Sequence, residues 1–290
     1  MSCEKMQDFG LVSIIMPAWN CAEFIGESIE SVLSQTYSNW ELLIQDDCST
    51  DSTHDVVLKY AASDSRIKYM NNCECGREGL LDGVDSYNNI KNGSGCSGRL
   101  VNRGAALTRN AALRRAEGRW IAFLDADDLW LPDKLDHQLR FMADNGFAFT
   151  YHAYSEIAED GCPLGVYVSG KRCVRKFDMY TCCWPGCLTV MFDASKVGLV
   201  QVADVKKNND TAMWLKIVRN YPCHFFDEEL ALYRRRKESI TPKPLYRRVL
   251  AHYPLFRVAE KMNPVAAMFW VLMNVFGNAF KKIFYVTRNC

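Results

Sequence analysis

The chain has 290 residues, 49% apolar and 24% charged, which allows a large buried core and excludes a polymer too polar to fold. A formal net charge of +1 hides an asymmetry: twelve Lys and Arg from Arg234 onward face only Glu238 and Glu260, a balance of +10 against −9 over residues 1–233. A basic tail behind an acidic body points to phosphates, nucleic acid or an anionic membrane surface.

"LVSIIMPAWN" at 11–20 is a short apolar run stopped by Pro17, the pattern of a strand buried on both faces. "AEFIGESIESVLSQ" sets Phe24, Ile25, Ile29, Val32 and Leu33 along one helical stripe. "WELLIQDDCSTDST" is a second buried strand ending on Asp46 and Asp47, after which Ser49, Thr50 or Asp51 can cap the helix "STHDVVLKYAAS". "RIKYM" gives a third strand. Residues 71–102, rich in Gly, Asn and Cys and without a period, read as a long loop over a site. The helix "AALTRNAALRRAEG" follows, with Gly118 as its C-terminal cap, and then the strand "RWIAFLDADD".

Strand and helix alternate over residues 10–145, which predicts an α/β fold: a doubly wound, mostly parallel, Rossmann-like sheet with helices on both faces. Ligands of such sheets sit beyond the carboxyl ends of the strands, where Asn20, Asp46, Asp47 and residues 125–128 collect. Beyond 146 the pattern loosens. "FAFTYHAYSEI", "LGVYVSG" and "CHFFDEELALYRRR" alternate like strands, and "NNDTAMWLKIVRN" is a helix burying Ala212, Leu215, Ile217 and Val218. Its first turn carries Asp210, where the helix dipole favours a carboxylate.

The thirteen cysteines are an odd number. No basic segment followed by an apolar stretch and a small-residue cleavage site opens the chain, so mostly reduced, cytosolic thiols are expected. Cys73/Cys75 and Cys182/Cys183 lack paired zinc-ligand spacing. Near the C-terminus "NPVAAMFWVLMNVFGNAFKKIFYV" holds an uncharged run from 262 to 280, at the lower limit for crossing a bilayer. Asn263, Asn274, Asn278, Pro264 and Gly277 weaken a spanning reading. The expectation is a helix lying in the membrane interface with Lys281, Lys282 and Arg288 near headgroups, a plain core helix being the alternative.

Asp125, Asp127 and Asp128 end a buried strand and repel one another unless a cation neutralises them. Oxygen donors without His or Cys favour Mg2+ or Mn2+, metals that arrive with substrate phosphates. Asp125 and Asp127 are therefore read as metal ligands, and Asp128 as a cap for the helix in "LWLPDKLDHQLRFM". Asp46 and Asp47 can accept hydrogen bonds from a base N–H or ribose hydroxyls. Neither a P-loop nor a GxGxxG fingerprint occurs, so metal and basic residues must bind any phosphates. "YRRRKESIT" offers cations for them, although Arg235 and Arg236 read equally as a solvated basic face. Trp184 and Cys187 in "CCWPGCLTV" suit an acceptor platform or packed core. His152 reads as a strand residue, His137 as a helix-surface one, and Met268, Phe269 and Trp270 as an apolar face.

Taken in order, "SIIMPAWN", "SVLSQTYSNWELLIQDDCSTDST", "NRGAALTRNAALRRAEGRWIAFLDADDLWLPDKL", "NNDTAMWL" and "YRRRKESIT" resemble the family 2, GT-A fold, inverting bacterial glycosyltransferases that build O-antigen, capsule or teichuronic-acid chains. The resemblance covers residues 10 to about 241. It implies a nucleotide-sugar donor, in the first instance a UDP-sugar, and a divalent metal, Mn2+ or Mg2+, at the DxD formed by Asp125, Ala126 and Asp127. It puts Pro17, Ala18, Trp19, Asn20 and Arg109 beside the nucleotide and Asp47, helped by Asp46, near its base. Asn102 falls in the NxG segment, and Arg234 and Ser239 match the segment that meets the phosphates.

An inverting transfer needs one general base opposite the leaving group, and Asp210 matches the family's position for it. Trp19 stands where the family commonly has Tyr, and residues 73–100 look like an insertion. The organisation implied is a catalytic domain over 1–241, with a nucleotide-binding half at 10–145 and an acceptor half at 146–241, and a basic, apolar helical extension over 242–290. The acceptor implied is a lipid-linked or growing surface polysaccharide, met by an enzyme lying peripherally on the cytoplasmic face of the plasma membrane.

Three competing readings fare worse. A noncatalytic nucleotide-sugar-binding subunit would not need Asp210. DxD phosphohydrolases expect a Thr soon after the motif, where Leu129 and Trp130 follow. Nucleic-acid binding finds no module, and the basic residues of the tail alternate with apolar ones.

Overall fold

A computed structural model describes residues 7–72, 104–202, 208–236 and 251–288. Asn102, Ser239 and the inserted segment at 73–100 lie outside them. The first half of the chain forms β1 (Val12–Ala18), α1 (Ile25–Leu33), β2 (Trp40–Asp46), α2 (Thr53–Ser63), β3 (Ile67–Asn71), α3 (Ala105–Leu113), β4 (Trp120–Phe123), β5 (Leu129–Trp130) and α4 (Lys134–Asn145). The second half forms β6 (Phe149–Ala158), β7 (Pro163–Val168), β8 (Cys173–Val174), α5 (Lys176–Thr181), β9 (Met191–Asp193) and α6 (Ala194–Val197). It continues with α7 (Asn209–Val218), β10 (Cys223–Arg235), a π-helical turn at Leu255–Ala259, α8 (Pro264–Phe284) and β11 (Val286–Arg288).

β1 is buried along almost its whole length, yet its side chains still sort by face as the pleat requires. Val12, Ile14 and Met16 share a core with Ile25, Ile29 and Val32 of α1 and with Leu135, Leu139 and Met142 of α4. Ile15 turns the other way, joining Leu43, Ile121 and Phe123 against Leu113 of α3 and Trp214 and Leu215 of α7. Helices therefore cover both faces, and the apolar run without alternation in "LVSIIMP" has its physical explanation.

The sheet runs β11-β7-β6-β9-β4-β1-β2-β3. The stretch β3-β2-β1-β4 is wholly parallel, with Ala18 opposite Asp46 and Ile15 opposite Phe123, so the strand ends that carry the acids open on one edge. From β9 onward the sheet is mixed: β9 runs antiparallel to β4 and β6, while β10 runs parallel to β6.

Two local readings need correction. Gly118 does not cap α3, which ends at Leu113 with Arg114 as its cap. A Cβ on Gly118 would lie 2.6 Å from the Ser13 nitrogen and 2.7 Å from the Leu11 oxygen, so the glycine serves a close approach to β1. Asp128 is not a helix cap either: β5 intervenes, α4 starts only at Lys134, and Asp128 is fully buried.

α8 packs along α5 and against the Leu255–Ala259 turn, and buries Ala267, Val271 and Asn274. No helix among the described residues is long and apolar enough to cross a membrane. Seven of the described cysteines are free thiols, and Cys48 is disulfide-bonded.

Candidate active site

The DxD loop leaves β4 at the centre of the sheet, and its three carboxylates take different surroundings. The side chains of Asp125 and Asp127 keep 30% and 27% of their exposure, while Asp128 keeps 1% of its own. Asp128 Oδ1 accepts the Arg234 backbone N–H at 2.9 Å, and its Oδ2 has no partner among the described residues. Burial, then the charges of Asp127 and Asp125, push its carboxyl well above the usual carboxylate range. Asp127 is also raised, by burial and by Asp125, and Arg236 works against the shift with Nη1 3.6 Å from Oδ2.

Arg234 is held behind this loop. Its Nε donates to the Asp127 carbonyl at 2.9 Å, Nη1 to the Glu159 carbonyl at 2.8 Å and Nη2 to Glu27 Oε2 at 2.5 Å. Every nitrogen of its side chain, which is 1% exposed, is engaged inside the protein. The cation that faces Asp127 is Arg236, which the sequence left between a phosphate ligand and a solvated residue.

Arg109 of α3 connects two parts of the crevice. Its Nη2 meets Asp125 Oδ1 at 2.5 Å and its Nη1 meets Asn209 Oδ1 at 3.0 Å. Burial opposes its charge, but Asp125 and Asp210 outweigh that and raise its pKa above the ordinary arginine value. Asn209 opens α7, and the next residue, Asp210, is half-buried with Oδ1 accepting the Thr211 N–H at 2.7 Å. α7 is positioned from below by Trp214, whose ring meets Phe123 of β4 edge-on at 5.2 Å. One guanidinium thus fixes the DxD loop and the start of the Asp210 helix. Asn209 was missed in the sequence, where only its place next to Asp210 marked it.

At the neighbouring strand ends, Asn20 has a left-handed backbone with φ of 45°, and its Oδ1 accepts the Thr50 N–H at 2.8 Å. This ties the turn after Pro17 and Ala18 to the loop after β2, while Trp19 stays 48% exposed. Asp46 is fully buried: Oδ1 accepts from Ser49 N at 2.9 Å and Oγ at 2.7 Å, and Oδ2 from the Tyr69 hydroxyl at 2.7 Å. Asp47 accepts from the Gly104 N–H at 2.7 Å and Asn72 Nδ2 at 3.2 Å, which joins β2 to the start of α3.

Trp184 is 5% exposed and meets Tyr285 edge-on at 4.9 Å, which fits the packed reading better than an open platform. Cys187 is half-buried, and its thiol pKa is pushed well up by burial despite the nearby charge of Arg109. His152 lies buried in β6, as a strand residue should, and His137 meets Glu228 at 2.8 Å on the surface of α4.

The donor set suits a hard cation. Asp125 and Asp127 present carboxylate oxygens from two partly open side chains one residue apart, and no third His, Cys, Asp or Glu converges with them among the described residues. Two carboxylates plus substrate oxygens is the way Mg2+ and Mn2+ are usually held.

A parallel α/β core whose strand ends gather a DxD pair, a buried arginine and a first-turn aspartate, followed by a mixed half-sheet, is a GT-A glycosyltransferase architecture. The family model for Glycosyl transferase family 2 matches residues 13–76 and 98–161. TuaG of Bacillus subtilis, a chain named for teichuronic acid biosynthesis, is 33% identical over 273 residues, covering 94% of this chain and 97% of that one. The Escherichia coli UDP-Glc:alpha-D-GlcNAc-diphosphoundecaprenol beta-1,3-glucosyltransferase WfgD is 38% identical, covering 74% of this chain and 72% of its own.

The chain therefore belongs to glycosyl transferase family 2 and is a glycosyltransferase. The fold likeness extends to residues 1–349 of TarS from S. aureus, crystallised with UDP, with a TM-score of 0.60 at 18% identity over 94% of this chain and 73% of that one. It extends also to the mannosyltransferase PcManGT of Pyrobaculum calidifontis with GDP-Man and Mn2+, with a TM-score of 0.53 at 16% identity over 95% and 76% of the two chains.

Proposed function

We propose that the chain moves a sugar from a UDP-sugar to a lipid-linked acceptor of surface-polysaccharide synthesis, with inversion at the anomeric carbon. The observation that carries this reading is the Arg109 bridge, since it couples the DxD carboxylate to Asn209 at the start of the helix that carries Asp210. The donor and acceptor classes are supported by relatives such as WfgD, whose name specifies UDP-Glc and a diphosphoundecaprenol acceptor, and by a TarS structure solved with UDP-GlcNAc.

Asp125 and Asp127 would hold Mn2+ or Mg2+, which when bound supplies Lewis-acid charge at the leaving diphosphate. Arg236 faces the same end of the site and takes the phosphate role that the sequence gave to Arg234, whose donors hold the loop from behind. Asp47, Trp19 and the turn from Pro17 to Asn20 frame the nucleotide, while Asp46 closes the loop beneath them. Asp210 accepts the proton of the acceptor hydroxyl as it attacks, the one base that an inverting displacement needs.

A panel of sugar nucleotides with Mn2+ or Mg2+, read by nucleotide release, identifies the donor. Asp127→Ala should abolish metal-dependent donor binding, and Asp210→Asn should leave donor binding intact and remove transfer. An Asp210→Asn protein that transfers sugar as fast as its parent would show that another group takes the proton.

A further inference from the structure

α8 presents its sides to the wrong media for a helix in water. Its polar residues face protein: Asn274 Nδ2 donates to the Tyr180 carbonyl at 3.2 Å, and Asn278 Oδ1 accepts from the Cys182 thiol at 3.6 Å. Lys281, expected at headgroups, instead donates to the carbonyls of Cys183 at 3.1 Å and Trp184 at 2.8 Å. Between them Gly277 lies so close that an added Cβ would come within 2.0 Å of the Thr181 oxygen. The outward stripe is apolar, with Val265, Leu272, Phe276, Phe280 and Ile283 all exposed, Phe276 and Ile283 by 70% and 72%. Phe177 of α5, 67% exposed, extends this surface and stacks on Trp270 at 6.0 Å.

A contiguous apolar stripe of this kind is not left to water in a soluble helix. Its surroundings select the occupant. Arg175 and Lys176 precede Phe177, Lys282 lies in the last turn of α8, and Arg288 follows in β11, with Arg175, Lys282 and Arg288 exposed. Two of the acids nearby are paired: Asp178 with Lys171, and Glu260, whose side chain is 3% exposed, with Arg219 at 2.6 Å.

We infer that the joint face of α5 and α8 docks on an anionic phospholipid bilayer, its Phe, Leu and Ile side chains in the acyl boundary and its cations at lipid phosphates. The helix that seats α8, α5, also packs against α7, whose first turn carries Asp210. A bilayer held there lies a fixed way from the proposed base, which suits a substrate that keeps its lipid tail in the membrane. This use rests on the proposed acceptor class, whereas the docking itself does not.

The test is sedimentation of the full chain with vesicles in the absence of any sugar nucleotide, so that its outcome is independent of the glycosyl transfer. Binding should be strong to mixed phosphatidylglycerol and phosphatidylcholine vesicles and weak to phosphatidylcholine alone. Phe276→Glu with Ile283→Glu should lower partitioning on the order of 100-fold. Phe177→Asp, on a different element, should lower it about tenfold, and Lys176→Glu with Lys282→Glu should erase the preference for the anionic lipid. Unchanged thermal midpoints show that these exposed substitutions spare the fold. Equal sedimentation of the parent and the double glutamate variant, or equal binding to both vesicle types, overturns the inference. So does a parent that is a dimer without vesicles, ignores them, and becomes monomeric on Phe276→Glu, because the face then covers a second copy.

Discussion

Arg109→Lys preserves the charge between the DxD loop and α7 but not the fork that spans them. In the parent, one guanidinium nitrogen lies 2.5 Å from Asp125 and the other 3.0 Å from Asn209. A single ammonium serves one acceptor well, and the carboxylate wins on charge. Asn209 then loses a hydrogen bond from a charged donor, about 1.5–3 kcal/mol, and the first turn of α7 loses its tether. If that loss falls on the transition state, kcat should drop roughly 10- to 100-fold while the donor KM moves less than about threefold.

Arg109→Ala removes both contacts and leaves Asp125 and Asp127 to repel each other. Breaking a buried pair costs about 3–5 kcal/mol, and the partial exposure of Asp125 reduces the expected loss of stability to about 2 kcal/mol. Steady-state nucleotide release gives kcat and KM, and thermal unfolding with and without Mn2+ gives the stability. On the proposed reading a bound cation and Arg109 neutralise the same carboxylates, so Mn2+ should narrow the deficit of the alanine variant. A lysine variant with the parent's kcat would refute the coupling between the DxD loop and α7. A deficit indifferent to Mn2+ would refute its electrostatic origin.

Arg236→Ala should raise the donor KM about tenfold with a smaller change in kcat, since it removes the cation facing Asp127; an unchanged KM would move phosphate binding elsewhere. Gly277→Ala should destabilise the chain by about 2 kcal/mol or more in urea unfolding, since the backbone clash with Thr181 exceeds the ~1 kcal/mol that alanine adds to a helix interior. A variant more stable than its parent would mean that α8 is not seated there. Burial pushes the His152 imidazole down to about 3, so its contribution to stability is complete above about pH 6.5 and declines as pH falls toward 3. Between pH 6.5 and 5 the parent should therefore lose up to about 1.4 kcal/mol per pH unit from this group, and His152→Leu should show a flatter slope.

The sheet was legible in the sequence because β1 and β2 are unbroken apolar runs punctuated by Pro17 and by Asp46, and periodicity reports burial directly. The DxD pair was legible for the opposite reason: two acids at a buried strand end contradict burial unless something pairs with them. What stayed hidden depends on side-chain direction. Nothing in "YRRR" says that Arg234 spends its donors on the Asp127 and Glu159 carbonyls and Glu27 while Arg236 reaches the Asp127 carboxylate, because both guanidinium groups lie over Phe24 and only tertiary partners far away in the chain separate them. Gly118 was misread since a glycine after a helix signals a cap just as readily as a tight crossing. The polar residues of α8 were read as weakening a membrane span, which agrees with the structure, but their partners, the Tyr180 carbonyl and the Cys182 thiol, lie 94 and 96 residues upstream and were not legible.

β10 spans both halves of the chain. Near Cys223 it pairs with β8, farther along it flanks β6, by Leu232 it borders β5, and its end delivers the arginines to the DxD loop. Anyone grafting a relative's second half onto this first half would import a foreign clamp on the DxD loop as well. Exchangeable modules in this enzyme therefore do not follow the order of the chain, and a working chimera would have to keep the last residues of that strand native.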